Sequence, residues 1–189
     1  MIHSGAGPAR IPDPARLADA IVEKVGKTIV LALPLGLGKA NHIANALYAK
    51  AAADRSINLT IFTALTLEAP RAKSALERRF LDPITQRLFA GYPPLAYAAA
   101  VHAAIVPPNV EINEFFFEAG QWLNSPYAQQ HYISANYTHA LRYVLDRGVN
   151  VVAQLVAHRA DEAPRAYSLS CNPDLTIDLL AARRDGGRH

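Results

Sequence analysis

Residues 28–50 read TIVLALPLGLGKANHIANALYAK, and this stretch decides the fold. The apolar, β-branched run at 28–33 has the pattern of a strand buried on both faces of a parallel sheet. Pro34 ends it, the GLG at 36–38 turns the chain, and the alanine-rich segment 39–53 reads as a helix. In open α/β sheets, ligands bind outside the carboxyl ends of strands. Gly36 and Gly38 fall at such an end, and the unpaired N–H groups of the following helix face the same way. The plain alternative is that both glycines only permit a tight turn. Lys39, in the first helical turn, either meets an anion or is solvated.

On the N-terminal side, residues 1–12 are rich in Gly, Pro and Ala and read as a loose arm, leaving 13–189 as one α/β domain. Asp13 and Pro14 have the form of an N-cap and first-turn proline. Leu17, Ile21 and Val25 then recur at helical spacing until Gly26. On the C-terminal side, INLTIFTAL (57–65) is a second strand. Residues 67–108 read as short helical pieces broken by Pro70, Pro83, Gly91, Pro93, Pro94, Pro107 and Pro108, a segment expected to carry an apolar face or a lid. NVEINEFFF (109–117) is a third strand, and a helix near 137–147 ends at Gly148. VNVVAQLVA (149–157) reads as a fourth strand, RAYSLSC (165–171) as a short fifth, and NPDLTIDLLAARR (172–184) leads into a last helix. Strands alternating with helices predict an α/β fold with an open, mainly parallel, doubly wound sheet and right-handed crossovers.

Known phosphate-binding patterns fit the glycine turn poorly. Gly36-x-Gly38-x-x-Asn41 lacks the third glycine of a dinucleotide fingerprint, and the second strand ends in threonines without an acidic ribose partner. Gly38-Lys39 is followed by Ala40 where an ATPase loop needs Ser or Thr for magnesium. Ser170 in LSCNP lacks the G-x-S-x-G elbow of a hydrolase nucleophile. Cys171, beside a helix start, reads as a buried small apolar residue or, less simply, as a reactive thiol.

Composition narrows the classes further. Of 189 residues, 51% are hydrophobic and 19% charged, which is the balance of a folded globular chain. The net charge is +3, but the arginines are scattered without interleaved aromatics, so no nucleic-acid surface is expected. One cysteine excludes a disulfide within the chain, and the seven histidines form no HExxH pattern. With no 18-residue uncharged apolar span and no leader-like segment, the expectation is a soluble, cytoplasmic protein that does not bind membranes.

Four blocks carry a family resemblance: LALPLGLGKANHIANALY (31–48), NVEINEFFFEAG (109–120), ISANYTHALRYVLDRGVNVVAQLVA (133–157) and YSLSCNPDLTIDLL (167–180). In order and spacing they resemble the N-terminal domain of the acetyl-CoA hydrolase/transferase family, which includes 4-hydroxybutyrate and acetate CoA-transferases. The resemblance implies two similar α/β halves with the active site between them. It also implies a catalytic glutamate in the C-terminal half that attacks an acyl-CoA, and glycine-rich backbone that stabilises the charge developed. This sequence stops about where that second half should begin, so no catalytic residue is assigned here.

By this resemblance, Glu68, Glu111, Glu114 and Glu118 lie in the wrong half to be the nucleophile. The chain is then expected to supply half of a cleft and to be inactive alone, with Gly36 and Gly38 as a backbone cradle and Ser170 and Asn172 as polar lining. The implied partners are an acyl-CoA, a small carboxylate, and a C-terminal domain or partner subunit, with self-association through an exposed apolar face. Coenzyme A enters as a substrate thioester, and neither a resident cofactor nor a metal is implied. Two other classes stay open: a free-standing nucleotide- or CoA-binding module, and a non-catalytic subunit that completes a CoA-transferase in trans.

Glu111 and Asn113 share one strand face, which is expected to be solvated, and Glu118 follows at the strand's carboxyl end. Asn136 or Ser134 is expected to cap the helix after it, and His139 with Arg142 to form a surface pair. Asn172-Pro173 reads as a cap followed by a first-turn proline.

Overall fold

A computed structural model describes residues 9–159, 166–169 and 172–184 of the chain. Helix α1 (Pro14–Val25) starts as its sequence predicts. The Asp13 carboxylate accepts the Ala15 N–H at 2.9 Å, and Gly26, at φ +86°, closes the helix. β1 (Thr28–Ala32), α2 (Asn41–Ala53) and β2 (Asn58–Thr63) follow, then α3 (Ala75–Phe89), α4 (Ala96–His102) and β3 (Val110–Glu114). The chain continues through α5 (Pro126–Gln130), α6 (Ala140–Asp146), β4 (Val151–Val152), β5 (Ala157–Arg159), β6 (Ala166–Ser168) and α7 (Thr176–Arg184).

The main sheet is parallel throughout, in the order β3-β2-β1-β4. Strand β1 is therefore internal. The chain adds β2 and β3 on one side of it and then returns to lay β4 on the other. The order reverses between β1 and β4, and the carboxyl ends of those two strands are where an open α/β sheet places its ligand crevice.

Alternation along the strands separates two cores. Ile29 and Leu31 of β1, Leu59 and Ile61 of β2, and Val110 and Ile112 of β3 pack with α1, α2 and α4. Ala32, Phe62 and Phe115 pack on the opposite face with Val144 of α6 and Leu179 of α7. Helices thus cover both faces of a parallel sheet, the doubly wound α/β arrangement expected from the sequence. Burying both faces is what makes β1 a continuous apolar run.

The structure corrects three expectations about elements. The 149–157 segment is not one strand. It pairs with β1 only over Val151–Val152 and then veers to the glycine turn, where Leu155 N–H donates to Gly38 O at 2.9 Å, before starting β5. The expected fifth strand, as far as it is described, is β6, and it pairs antiparallel with β5 in a separate hairpin, outside the main sheet. Pro83 does not break its helix but lies inside the 15-residue α3. No residue of α3 is buried, and Arg79, whose carbonyl loses its intrahelical donor to the proline, is exposed, so water can donate a hydrogen bond to that carbonyl instead.

The same segment does carry the expected apolar face. Leu76, Phe80 and Leu88 project from α3 with 63–76% exposure.

Candidate functional site at the sheet switch point

Beyond β1 the chain passes Pro34 and Leu35 into a single 3₁₀ turn, Gly36–Gly38. Gly36 needs to be glycine for its backbone, at φ +49°. Gly38 needs it for space: a Cβ there would lie 3.0 Å from both Asn172 Cβ and Pro34 Cγ, and 3.1 Å from Gln154 Nε2. The two glycines thus serve different physical ends at one turn.

Asn172 is brought to this turn from the far end of the chain. Its Nδ2 donates to Leu35 O at 2.8 Å, and its Oδ1 accepts the Asp174 N–H at 3.1 Å. Asp174 in turn accepts the Leu35 N–H at 2.8 Å and the Tyr137 hydroxyl. Gln154 donates to Asn172 O at 3.0 Å and accepts from the Thr176 hydroxyl at 2.7 Å. Burial, followed by the Asp174 partner, holds the Tyr137 phenol well above its usual range.

Of the four residues expected to line the site, Gly36, Gly38 and Asn172 meet here, while Ser170 lies outside the described residues, as does Cys171. Asn172 does not cap the last helix. It sits four positions ahead of α7 and closes a turn onto Asp174, at φ +41°, because its amide is committed to Leu35.

Within the turn, the Gly36 N–H donates to Leu65 O at 3.3 Å and the Gly38 N–H to Leu35 O at 3.2 Å. The next helix start is different. The N-cap of α2 is Ala40, which has no side-chain oxygen to offer, and the first helical bond runs from Ala44 N–H to Ala40 O. Among the described residues nothing accepts the N–H groups of Asn41, His42 and Ile43. The same three residues line part of a largely apolar pocket of about 520 Å³, with Leu17, Leu37, Tyr92 and Leu155 among the others.

Beneath the turn lies a polar network that was not evident from the sequence. Lys39 is 3% exposed, neither solvated nor facing the pocket with its ammonium. Its Nζ donates to Pro34 O at 2.6 Å, Thr63 Oγ1 at 2.7 Å and Ala64 O at 2.5 Å, tying the end of β1 to the end of β2. Burial pulls the lysine down to about 7, against the attraction of Glu114 and Asp174.

Glu114 is also buried. It accepts the Thr66 N–H at 3.2 Å and the Thr66 hydroxyl at 2.5 Å. Thr66 Oγ1 lies 2.8 Å from the fully buried Tyr97 hydroxyl. Burial raises the Glu114 carboxyl despite the Thr66 hydrogen bonds and the Lys39 charge. One signal for its burial was present in the sequence: Val110, Ile112 and Glu114 fall on the same face of β3 at the period of two.

The other acidic candidates are dispersed. Glu68 bonds His102 Nε2 at 2.6 Å and Gln121 Nε2 at 3.0 Å. Glu111 accepts from Asn113 Nδ2 at 2.8 Å, so those two do share a face, but Asn113 is buried rather than solvated. Glu118 borders a separate aromatic pocket with Phe116, Trp122 and Tyr132. Asn136 caps the 3₁₀ turn Tyr137–His139 by accepting the Thr138 N–H at 3.2 Å, as expected. Arg142 pairs with Asp146 at 3.6 Å rather than with His139.

Among the described residues no cluster of His, Cys, Asp and Glu is arranged to hold a metal, and no helix is long and apolar enough to cross a membrane. Comparison of the chain with protein-family models, with curated proteins and with solved structures finds no match in any of the three.

Proposed function

We propose that this chain contributes one half of an acyl-CoA site of the hydrolase or CoA-transferase kind, with the nucleophilic carboxylate supplied by a second half or partner subunit. The observation that carries the proposal is the meeting of Gly36, Gly38 and Asn172 at the β1/β4 switch point, where open α/β sheets bind their ligands. The chain's own carboxylates fit a binding role better than an attacking one. Asp174 is hydrogen-bonded to Leu35 and Tyr137, Glu114 to Thr66, and Glu68 to His102 and Gln121.

A second half would also cover the exposed apolar residues beside the turn, Leu37 and Leu155, and those along α3. Its carboxylate would form the acyl–enzyme bond as the CoA thiolate leaves. This chain would position the thioester and shield it from water.

Titrating the isolated chain with acetyl-CoA, with release of free thiol followed in parallel, tests the proposal. Saturable binding without thiol release is expected, weakened in Asn172→Ala. Hydrolysis by the chain alone would overturn the half-site reading. Absence of binding to CoA thioesters, with binding to ATP or NAD instead, would favour a nucleotide module.

A further inference from the structure

The aromatic pocket that follows β3 has a volume of about 400 Å³, within the range of small-molecule sites. It contains neither Gly38 nor Asn172, and the reading above gives it no work. Phe116, Phe117, Trp122 and Tyr132 line it. Phe117 stacks on Tyr132 with ring centroids 5.3 Å apart and lies 5.9 Å from Trp122, while Phe116 and Tyr132 stay 51% and 45% exposed. Among the described lining residues Glu118 is the only charged one. A turn from Gln121 N–H to Glu118 O at 3.2 Å, with Gly120 at φ +81°, fixes its backbone. Among the described residues the Glu118 carboxylate has no hydrogen-bond or ion-pair partner. Two histidines lie close by, and neither is among the lining residues. His102 stacks on Trp122 and is bonded to Glu68, which offsets any charge it takes up, and His131 stacks on Tyr127 and is bonded to Tyr127 O.

We propose that this pocket binds a small organic cation through a quaternary ammonium group. Aromatic ring faces carry negative electrostatic potential and attract a cation placed over them. The Glu118 carboxylate adds a full negative charge to the same lining, and no lysine or arginine stands among the described lining residues to oppose it. An anion would meet only repulsion there. A neutral apolar ligand would fill the space but gain nothing from Glu118. A primary ammonium would surrender strongly held water to the rings, whereas a trimethylammonium spreads its charge over methyl groups that pack on Phe116, Tyr132 and Leu123.

Trp122 is the one tryptophan of the chain and lines the pocket, so its fluorescence, alongside calorimetry, reads binding directly. The probes are choline, its neutral isostere 3,3-dimethylbutanol and its primary-amine counterpart ethanolamine. Choline should bind the native chain about tenfold more tightly than either. Glu118→Gln should weaken choline binding about fivefold and flatten its dependence on salt. Tyr132→Leu keeps an apolar wall but removes a ring face, and should also weaken choline about fivefold. Both residues are exposed, so an unchanged thermal transition is expected and confirms that each variant is folded. Failure of choline to bind the native chain would overturn the proposal. So would equal affinity for 3,3-dimethylbutanol, which marks a merely apolar pocket, or ethanolamine binding as tightly as choline, which marks a simple ion pair. Unchanged choline affinity in Glu118→Gln or in Tyr132→Leu would overturn it too. The comparison of probes on the native chain decides the matter even if a variant fails to fold. Acetyl-CoA carries no quaternary ammonium group and its binding is read separately, so either proposal can fail while the other stands.

Discussion

Asn172 donates its side-chain amide to the carbonyl of Leu35, 137 positions earlier in the chain, at 2.8 Å. This bond fastens the segment before α7 onto the turn after β1. Removing the amide in Asn172→Ala should cost about 1–2 kcal/mol, the value of one partly buried hydrogen bond and its unsatisfied carbonyl. Asn172→Asp should cost at least as much, because it keeps the acceptor for Asp174 N–H but loses the donor. Urea denaturation of the three proteins checks this, with the midpoint falling and the slope unchanged.

The two glycines of the turn should respond differently to alanine. Gly38→Ala places a methyl 3.0 Å from Asn172 Cβ and Pro34 Cγ, and should lower stability by about 1–3 kcal/mol through overpacking. Gly36→Ala has room, its nearest contact being Leu65 Cδ2 at 3.8 Å, and should cost about 1–2 kcal/mol through its left-handed backbone alone. Gly36→Asn should recover part of that loss, since asparagine tolerates this conformation. Gly38→Asn should be worse than Gly38→Ala. The opposite order in thermal melts would disprove the assignment of roles.

Lys39 should make stability depend on alkaline pH. Its folded pKa of about 7 lies below the ordinary 10.5, so between those values the unfolded chain binds more protons than the folded one. Stability contributed by this group therefore rises as pH increases from about 7 towards 10.5, and the cost of burying the charge is fully present below 7. Lys39→Met lacks this dependence. The Tm advantage of the native chain over Lys39→Met should grow between pH 7 and pH 10, as differential scanning calorimetry would show. A constant difference would mean that the lysine titrates near its normal value.

Thr66 links two buried groups and should be hard to replace with an isostere. Thr66→Val leaves the Glu114 carboxyl and the Tyr97 hydroxyl without their shared partner, which predicts a loss of about 2–4 kcal/mol. Thr66→Ser should restore most of it, because the hydroxyl is what both groups contact. Equilibrium denaturation of the pair would separate lost polar contacts from lost methyl packing.

Pro83 should be locally costly and globally neutral. A proline inside a helix is disfavoured by about 3 kcal/mol relative to alanine, yet α3 buries none of its residues. Pro83→Ala should increase far-ultraviolet helical signal and amide protection within Ala75–Phe89, while the main thermal transition stays within about 1 °C. A large rise in Tm would show that α3 unfolds together with the sheet.

The sequence by itself determined the class of fold and the location of the glycine turn. Buried parallel strands and amphipathic helices are written in local periodicity, and Asp13, Gly26 and Asn136 act through neighbours a few residues away. That Gly36 and Gly38 sit at a strand's carboxyl end was legible for the same reason. What only the tertiary structure decided is the content of the site. Lys39 reads locally as a surface lysine, and it is buried because β2 brings Thr63 and Ala64 to its ammonium. Asn172 reads as a helix cap, and its amide is instead bound across the sheet switch point. VNVVAQLVA reads as one strand, but the turn after β1 takes Leu155 away from the sheet. Each of these depends on partners distant in sequence. Hydrogen bonds and desolvation act through space, so a residue's neighbours along the chain do not specify them.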